Sequence, residues 1–61
     1  MIRVVIADDI PFFRQMVVDT LEEEEEIEIV GEAPNGKVAV ELCEKHRPDI
    51  ILLDVEMPLM N

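Results

Sequence analysis

Three short runs rich in branched aliphatic residues punctuate the chain: IRVVIA from Ile2, IEIVGE from Ile27 and DIILLD from Asp49. The stretches between them are too long for hairpins and long enough to hold one helix each. Strands joined in this way pair parallel through a crossover. The period of the apolar residues changes accordingly. Phe13, Met16, Val17, Thr20 and Leu21 fall on one helical stripe, and Ala39, Val40 and Cys43 on another. Pro11 suits a first helical position, where its missing N–H costs nothing. Asn35 suits the cap of the second helix, and Pro48 ends it. Right-handed crossovers then place the first strand between the second and third, with one helix on each face. The expectation is an α/β fold, βαβαβ, with strand order 2-1-3. The uninterrupted apolar run before Asp54 reads as a strand covered on both faces.

Sixty-one residues make at most one small domain, which buries only about 60% of the surface its unfolded chain exposes. At 49% hydrophobic the chain still has enough apolar material to pack. Its aromatics are Phe12 and Phe13 alone, so the core rests on Ile, Val, Leu and Met. Fifteen acids against five bases give a net charge of -10. This argues against nucleic-acid binding, which needs clustered Lys and Arg for the phosphates. Five of the acids form the run Glu22 to Glu26, read as a solvated helix end entering a turn. Cys43 is the one cysteine, so no internal disulfide can form, and a cytoplasmic setting is expected. Apolar runs are too short for a signal-peptide core or a membrane span.

The acids at the strand ends carry the chemistry. Asp8 and Asp9 follow the central strand and Asp54 ends its neighbour, so all three are expected at the carboxyl edge of the sheet, beside the point where strand order reverses. No Lys or Arg lies in the segments immediately adjoining these acids. Carboxylates gathered without a base must protonate or hold a cation, and an oxygen-only site of few ligands suits Mg2+. Taken singly, Asp8 and Asp9 also fit a helix N-terminal acid pair, and Asp54 a turn acid. Their joint position favours a common site. The turn DDIP lacks the glycine fingerprint of a dinucleotide fold. His46, near a helix end, reads as a surface or capping residue, and Cys43 as core.

ADD after the first strand, NG opening the second helix and LLDVEMP around the third strand's end resemble the receiver domain of bacterial two-component response regulators. DVEMPLM resembles the receivers of chemotaxis methylesterases, and IEIVGEAPNGKVAVEL those that carry LuxR-type DNA-binding domains. The resemblance implies the first half of a flavodoxin-like doubly wound sheet, so residues 1–61 read as a single, truncated receiver domain. It implies Asp54 as phosphoacceptor, taking its phosphoryl group from a sensor histidine kinase or a small phosphodonor. Asp8 and Asp9 would hold Mg2+ with the backbone carbonyl of Glu56, and Met57 and Pro58 would shape the loop beyond. The Lys and the Ser or Thr that complete the family's site fall outside residues 1–61. Asn61 stands where the family usually has Asp, and acceptance at Asp54 is expected to be impaired.

Two other classes compete. One is a non-catalytic dimerisation or sequestering fragment that uses the exposed edge of the third strand, residues 50–54. Two such edges pairing antiparallel would make a six-stranded sheet ordered 2-1-3-3-1-2, and exchange of elements between chains is the variant. The other, an aspartyl-phosphate hydrolase, is disfavoured. Such enzymes place Asp-x-Asp after the first strand, where this chain has adjacent acids.

Overall fold

A computed structural model of the chain describes residues 1–53. The order is β1 (Ile2–Ala7), α1 (Pro11–Glu22), β2 (Ile27–Ala33), α2 (Gly36–His46) and β3 (Ile50–Leu53). The strands form one sheet in the order β2-β1-β3. Both pairings are parallel, Ile2 with Ile27 through Ala7 with Ala33 on one side and Val4 with Ile50 through Ala7 with Leu53 on the other.

β1 is covered on both faces, with Val4, Val5, Ile6 and Ala7 all buried. Alternation along the strand divides them between two small cores. Val4 and Ile6 pack with Val18 of α1, backed by Val17, Leu21, Ile27 and Ile29. Ala7 packs with Ala33 and Ala39, backed by Val38 and Leu42 of α2. The helices therefore lie on opposite faces. The α2 side is built from small residues, which lets that helix sit close to the sheet.

The register of β1 against β2 slips once. Val4 faces Ile29 but Val5 faces Gly31, so Val30 is an extra residue, a bulge. Before it, Ile27 and Ile29 point toward α1; after it, Ala33 points toward α2 and Glu32 pairs with Ile6, whose side is that of α1. One inserted residue thus reverses which face the odd-numbered positions of β2 supply.

The far end of the sheet is fastened by Arg3. Its guanidinium donates to the carbonyls of His46 and Arg47 at the end of α2. Arg3 N–H donates to Asp49 Oδ2 at 2.9 Å, and Asp49 N–H returns a bond to the Arg3 carbonyl at 2.8 Å. α2 ends in Arg47, whose φ of 49° is left-handed and whose N–H bonds the Cys43 carbonyl. At the other end, Asn35 Oδ1 accepts from Val38 N–H at 2.9 Å, the cap expected of it. Pro11 opens α1 as expected, and Glu22 to Glu26 are all exposed.

Three packing expectations need correction. The inward side of α1 centres on Val18 with Val17 and Leu21, while Met16 and Thr20 are exposed and Phe13 is half-exposed. The helix is rotated so that its β-branched pair, not its longer Met, meets β1. In α2, Val38 and Leu42 flank Ala39, whereas Val40 is exposed. β3 is not covered on both faces by the described residues: Ile50, Ile51, Leu52 and Leu53 are each 40–50% exposed at the margin of the sheet.

Candidate functional site

The acidic turn after β1 is held by a closed set of hydrogen bonds. Asp8 N–H donates to the Ala33 carbonyl at 3.0 Å, carrying the β1–β2 ladder one step past the last strand pair. The Asp8 carboxylate turns back on its own loop, Oδ1 accepting from Ile10 N–H at 2.9 Å, an Asx-turn. The Asp8 carbonyl accepts from Arg14 Nη1 at 2.8 Å, and Arg14 Nε stands 3.5 Å from Glu32 Oε1. Asp8 is buried, while Asp9 beside it is exposed.

This arrangement bears on whether the acid pair serves only to cap α1. The N-cap is Ile10 and makes no side-chain cap bond. Asp8 meets the N–H of Ile10 itself rather than one inside the helix. The pair is positioned by the turn, with Asp8 tucked against the sheet and Asp9 facing solvent.

Arg14 and Glu32 stand beside the acids, a placement not expected from the sequence. The expectation that no base stands near the acids holds for the immediately adjoining residues. It fails one helical turn later, because Arg14 folds back over the loop. The signal was available: positions 14, 17, 18 and 21 follow the i, i+3, i+4, i+7 spacing of a buried helical stripe. A charged residue at the head of such a stripe points at the sheet rather than away from it. The Glu32 contact was not legible in the same way, since it depends on the bulge at Val30.

Ala7 and Leu53 are register partners, and the residues next in sequence are Asp8 and Asp54. Asp54 and Glu56, expected as phosphoacceptor and carbonyl ligand, lie outside the described residues. Among those that are described, no group of three His, Cys, Asp or Glu is placed to hold a metal. Asp8 and Asp9 supply hard oxygen donors of the kind Mg2+ takes, usually from one or two carboxylates with water completing the shell. The donor chemistry fits the ion. Beside the acids opens an apolar cleft of about 330 Å3 between α1 and β3, lined by Ile6, Asp8, Ile10, Phe13, Val17 and Leu52 among others. Further along α1, Phe12 is 69% exposed with its ring centroid 5.7 Å from that of Phe13, and Met16 is 52% exposed.

No described helix is long and apolar enough to cross a membrane. Comparison with known proteins agrees with the geometry. A protein-glutamate methylesterase/protein-glutamine glutaminase of Bacillus subtilis (strain 168) is 52% identical over 61 residues, all of this chain but 17% of that protein. The signal receiver domain of the response regulator NarL from Mycobacterium tuberculosis superposes with a TM-score of 0.91 at 47% identity, over 98% of this chain and 48% of the other. A structure of the P1 domain of CheA3 in complex with CheY6 from R. sphaeroides matches with a TM-score of 0.87 at 31% identity, over 98% of this chain and 47% of that one. The chain thus spans about one sixth of the curated relative and about half of each solved chain. The Response regulator receiver domain family matches residues 4–61. With its acids at the carboxyl edge of a 2-1-3 parallel sheet, the chain belongs to the receiver domains of two-component signalling.

Proposed function

We propose that Asp54 accepts a phosphoryl group, with Asp8 and Asp9 binding the divalent cation that the transfer requires. The observation that carries this is the register of Ala7 with Leu53, since the residues that follow them in sequence are Asp8 and Asp54. In the step itself a carboxylate oxygen of Asp54 attacks phosphorus. The bond from phosphorus to the donor breaks, P–N for a phosphohistidine or P–O for an acyl phosphate, and the leaving group keeps the electron pair. Histidine leaves as a neutral imidazole with a proton on its other ring nitrogen, whereas an acyl phosphate releases a carboxylate that needs no proton. A bound Mg2+ would offset the charge that gathers on the equatorial oxygens. Asp8 and Asp9 would hold the ion with the carbonyl of Glu56. Residues 1–61 then form the acidic half of a receiver domain, and the Lys and the Ser or Thr of the complete site lie outside them. Exposed Phe12 and Met16, on the helix that starts beside the acids, offer an apolar surface to a phosphohistidine-bearing domain.

A homodimer is a second reading for the partner. Its support is the exposure of Ile50, Ile51, Leu52 and Leu53 at the outer edge of β3. Such a chain would pair third strands antiparallel or exchange elements.

Incubation with a small acyl phosphate and Mg2+, followed by mass analysis, tests the phosphoacceptor reading. One phosphoryl group should be added, dependent on the metal and absent in Asp54→Asn. Equal modification of Asp54→Asn, or neither modification nor Mn2+ binding by the wild type, would sink it.

A further inference from the structure

The contacts of Arg14 point beyond the acids themselves. We infer that Arg14 is a positioning residue for the cation site: anchored by Glu32, its guanidinium fixes the Asp8 carbonyl and so the direction in which Asp8 and Asp9 present their carboxylates. This rests on the metal-binding reading given above.

Three observations converge on it. First, Arg14 donates to the backbone of the loop, not to a carboxylate: Nη1 meets the Asp8 carbonyl at 2.8 Å. The acids therefore stay free of direct neutralisation by it, and the contact restrains geometry rather than cancelling charge. Second, the guanidinium is itself held. Its side chain is 19% exposed, and Nε lies 3.5 Å from Glu32 Oε1. An ion pair this accessible adds little stability of its own, but the planar fork can touch two acceptors at once, which an ammonium cannot do in the same way. Third, the partner is delivered by the bulge. Were Val30 paired in regular alternation instead of bulged, the phase set by Ile27 and Ile29 would send Glu32 to the α2 face; with the bulge, Glu32 pairs with Ile6 and stands on the α1 face beside Arg14.

The loop is thus gripped from both neighbouring elements. β2 takes the Asp8 N–H through Ala33, and α1 takes the Asp8 carbonyl through Arg14. That peptide segment has little freedom to turn. The Asx-turn to Ile10 N–H then sets the carboxylate relative to it. Partners of this supporting kind typically change metal affinity by about 10–100-fold when removed.

The test is Mn2+ titration of the wild type and of Arg14→Ala, Arg14→Lys, Glu32→Ala and Asp9→Asn. Thermal unfolding without metal and exchange of the Ile10 amide proton are measured alongside. Affinity should fall about tenfold in Arg14→Ala, by less in Glu32→Ala, and be partly restored in Arg14→Lys. Exchange at Ile10 should quicken in the same order. An Arg14→Ala protein that is less stable yet binds Mn2+ as tightly in its folded state would reduce Arg14 to a packing role and overturn the inference. Tighter binding would also overturn it, by making Arg14 a repelling charge. Should Arg14→Ala fail to fold, Glu32→Ala carries the same decision from an exposed side chain. If the wild type binds no Mn2+, or Asp9→Asn binds equally well, the metal reading itself falls and the positioning role falls with it. Weakened affinity in Asp9→Asn with wild-type affinity in Arg14→Ala and Glu32→Ala keeps the metal reading and overturns the positioning role alone; weakened affinity in all three supports both.

Discussion

Gly31 of β2 lies directly under Leu42 of α2: a β-carbon at Gly31 would stand 3.0 Å from Leu42 Cδ1. Helix and sheet meet there across a hydrogen atom. A larger side chain must displace the end of Leu42, which packs against Ala7, Ala33 and Ala39. Gly31→Val should therefore destabilise the fold by about 1–3 kcal/mol, the usual cost of overpacking. Urea unfolding measures it, and an unchanged midpoint would show that α2 is free to lift.

Asn35 caps α2 through Val38 N–H. Asn35→Ala should lower stability by about 1 kcal/mol, with no change in Mn2+ affinity, because the cap is built on the β2–α2 turn and makes no bond to the acidic loop. A parallel loss of affinity would mean that the two turns are coupled.

Phe12 is the most exposed of the large hydrophobic residues on α1. If that surface receives a phosphohistidine-bearing domain, Phe12→Ser should slow transfer from the domain by about tenfold, in the range of an interface aromatic. Transfer from a small acyl phosphate should be unchanged. A matched loss with both donors would place the effect in the site, not at the surface.

The margin of β3 supports a prediction about assembly. If β3 of residues 1–61 alone pairs with a second copy, sedimentation equilibrium at micromolar concentration should find a dimer, and Leu52→Lys should lose folded structure together with association, since the two would be linked. A compact, stable monomer would show that the edge needs no partner of the same chain.

The topology was legible because each element has its own unambiguous marker. IRVVIA and IILL cannot sit as amphipathic helices, and Pro11 and Asn35 mark where the helices begin. The rotation of α1 was not, because Met16 and Thr20 share the general stripe with Val17 and Leu21, and only contact with Val4 and Ile6 selects Val18 instead. The exposure of Val40 was hidden for the same reason. In the site, Asp8 and Asp9 stood out as adjacent acids after a strand. Arg14 could have been found as a charge heading the Val17, Val18 and Leu21 stripe. Glu32 could not, because IEIVGE alternates acceptably in either phase and nothing local marks Val30 as the extra residue. The metal-site expectations at Asp54 and Glu56 fall outside the described residues.

The central place of β1 has a consequence for how the chain becomes folded. β1 precedes both of its sheet neighbours in the sequence: it waits for residues 27–33 on one side and for residues 50–53 on the other. Until then its Val4, Val5 and Ile6 have no sheet to enter, and every strand contact it makes is distant in sequence. Folding governed by such contacts is slower than folding through hairpins. Because β2 precedes α2 in the chain, β1 and β2 can pair before α2 is complete, and β3 closes the sheet last. The like charges of Glu22 to Glu26, at the end of α1 and in the turn after it, repel their counterparts on other chains and so oppose association at that stage.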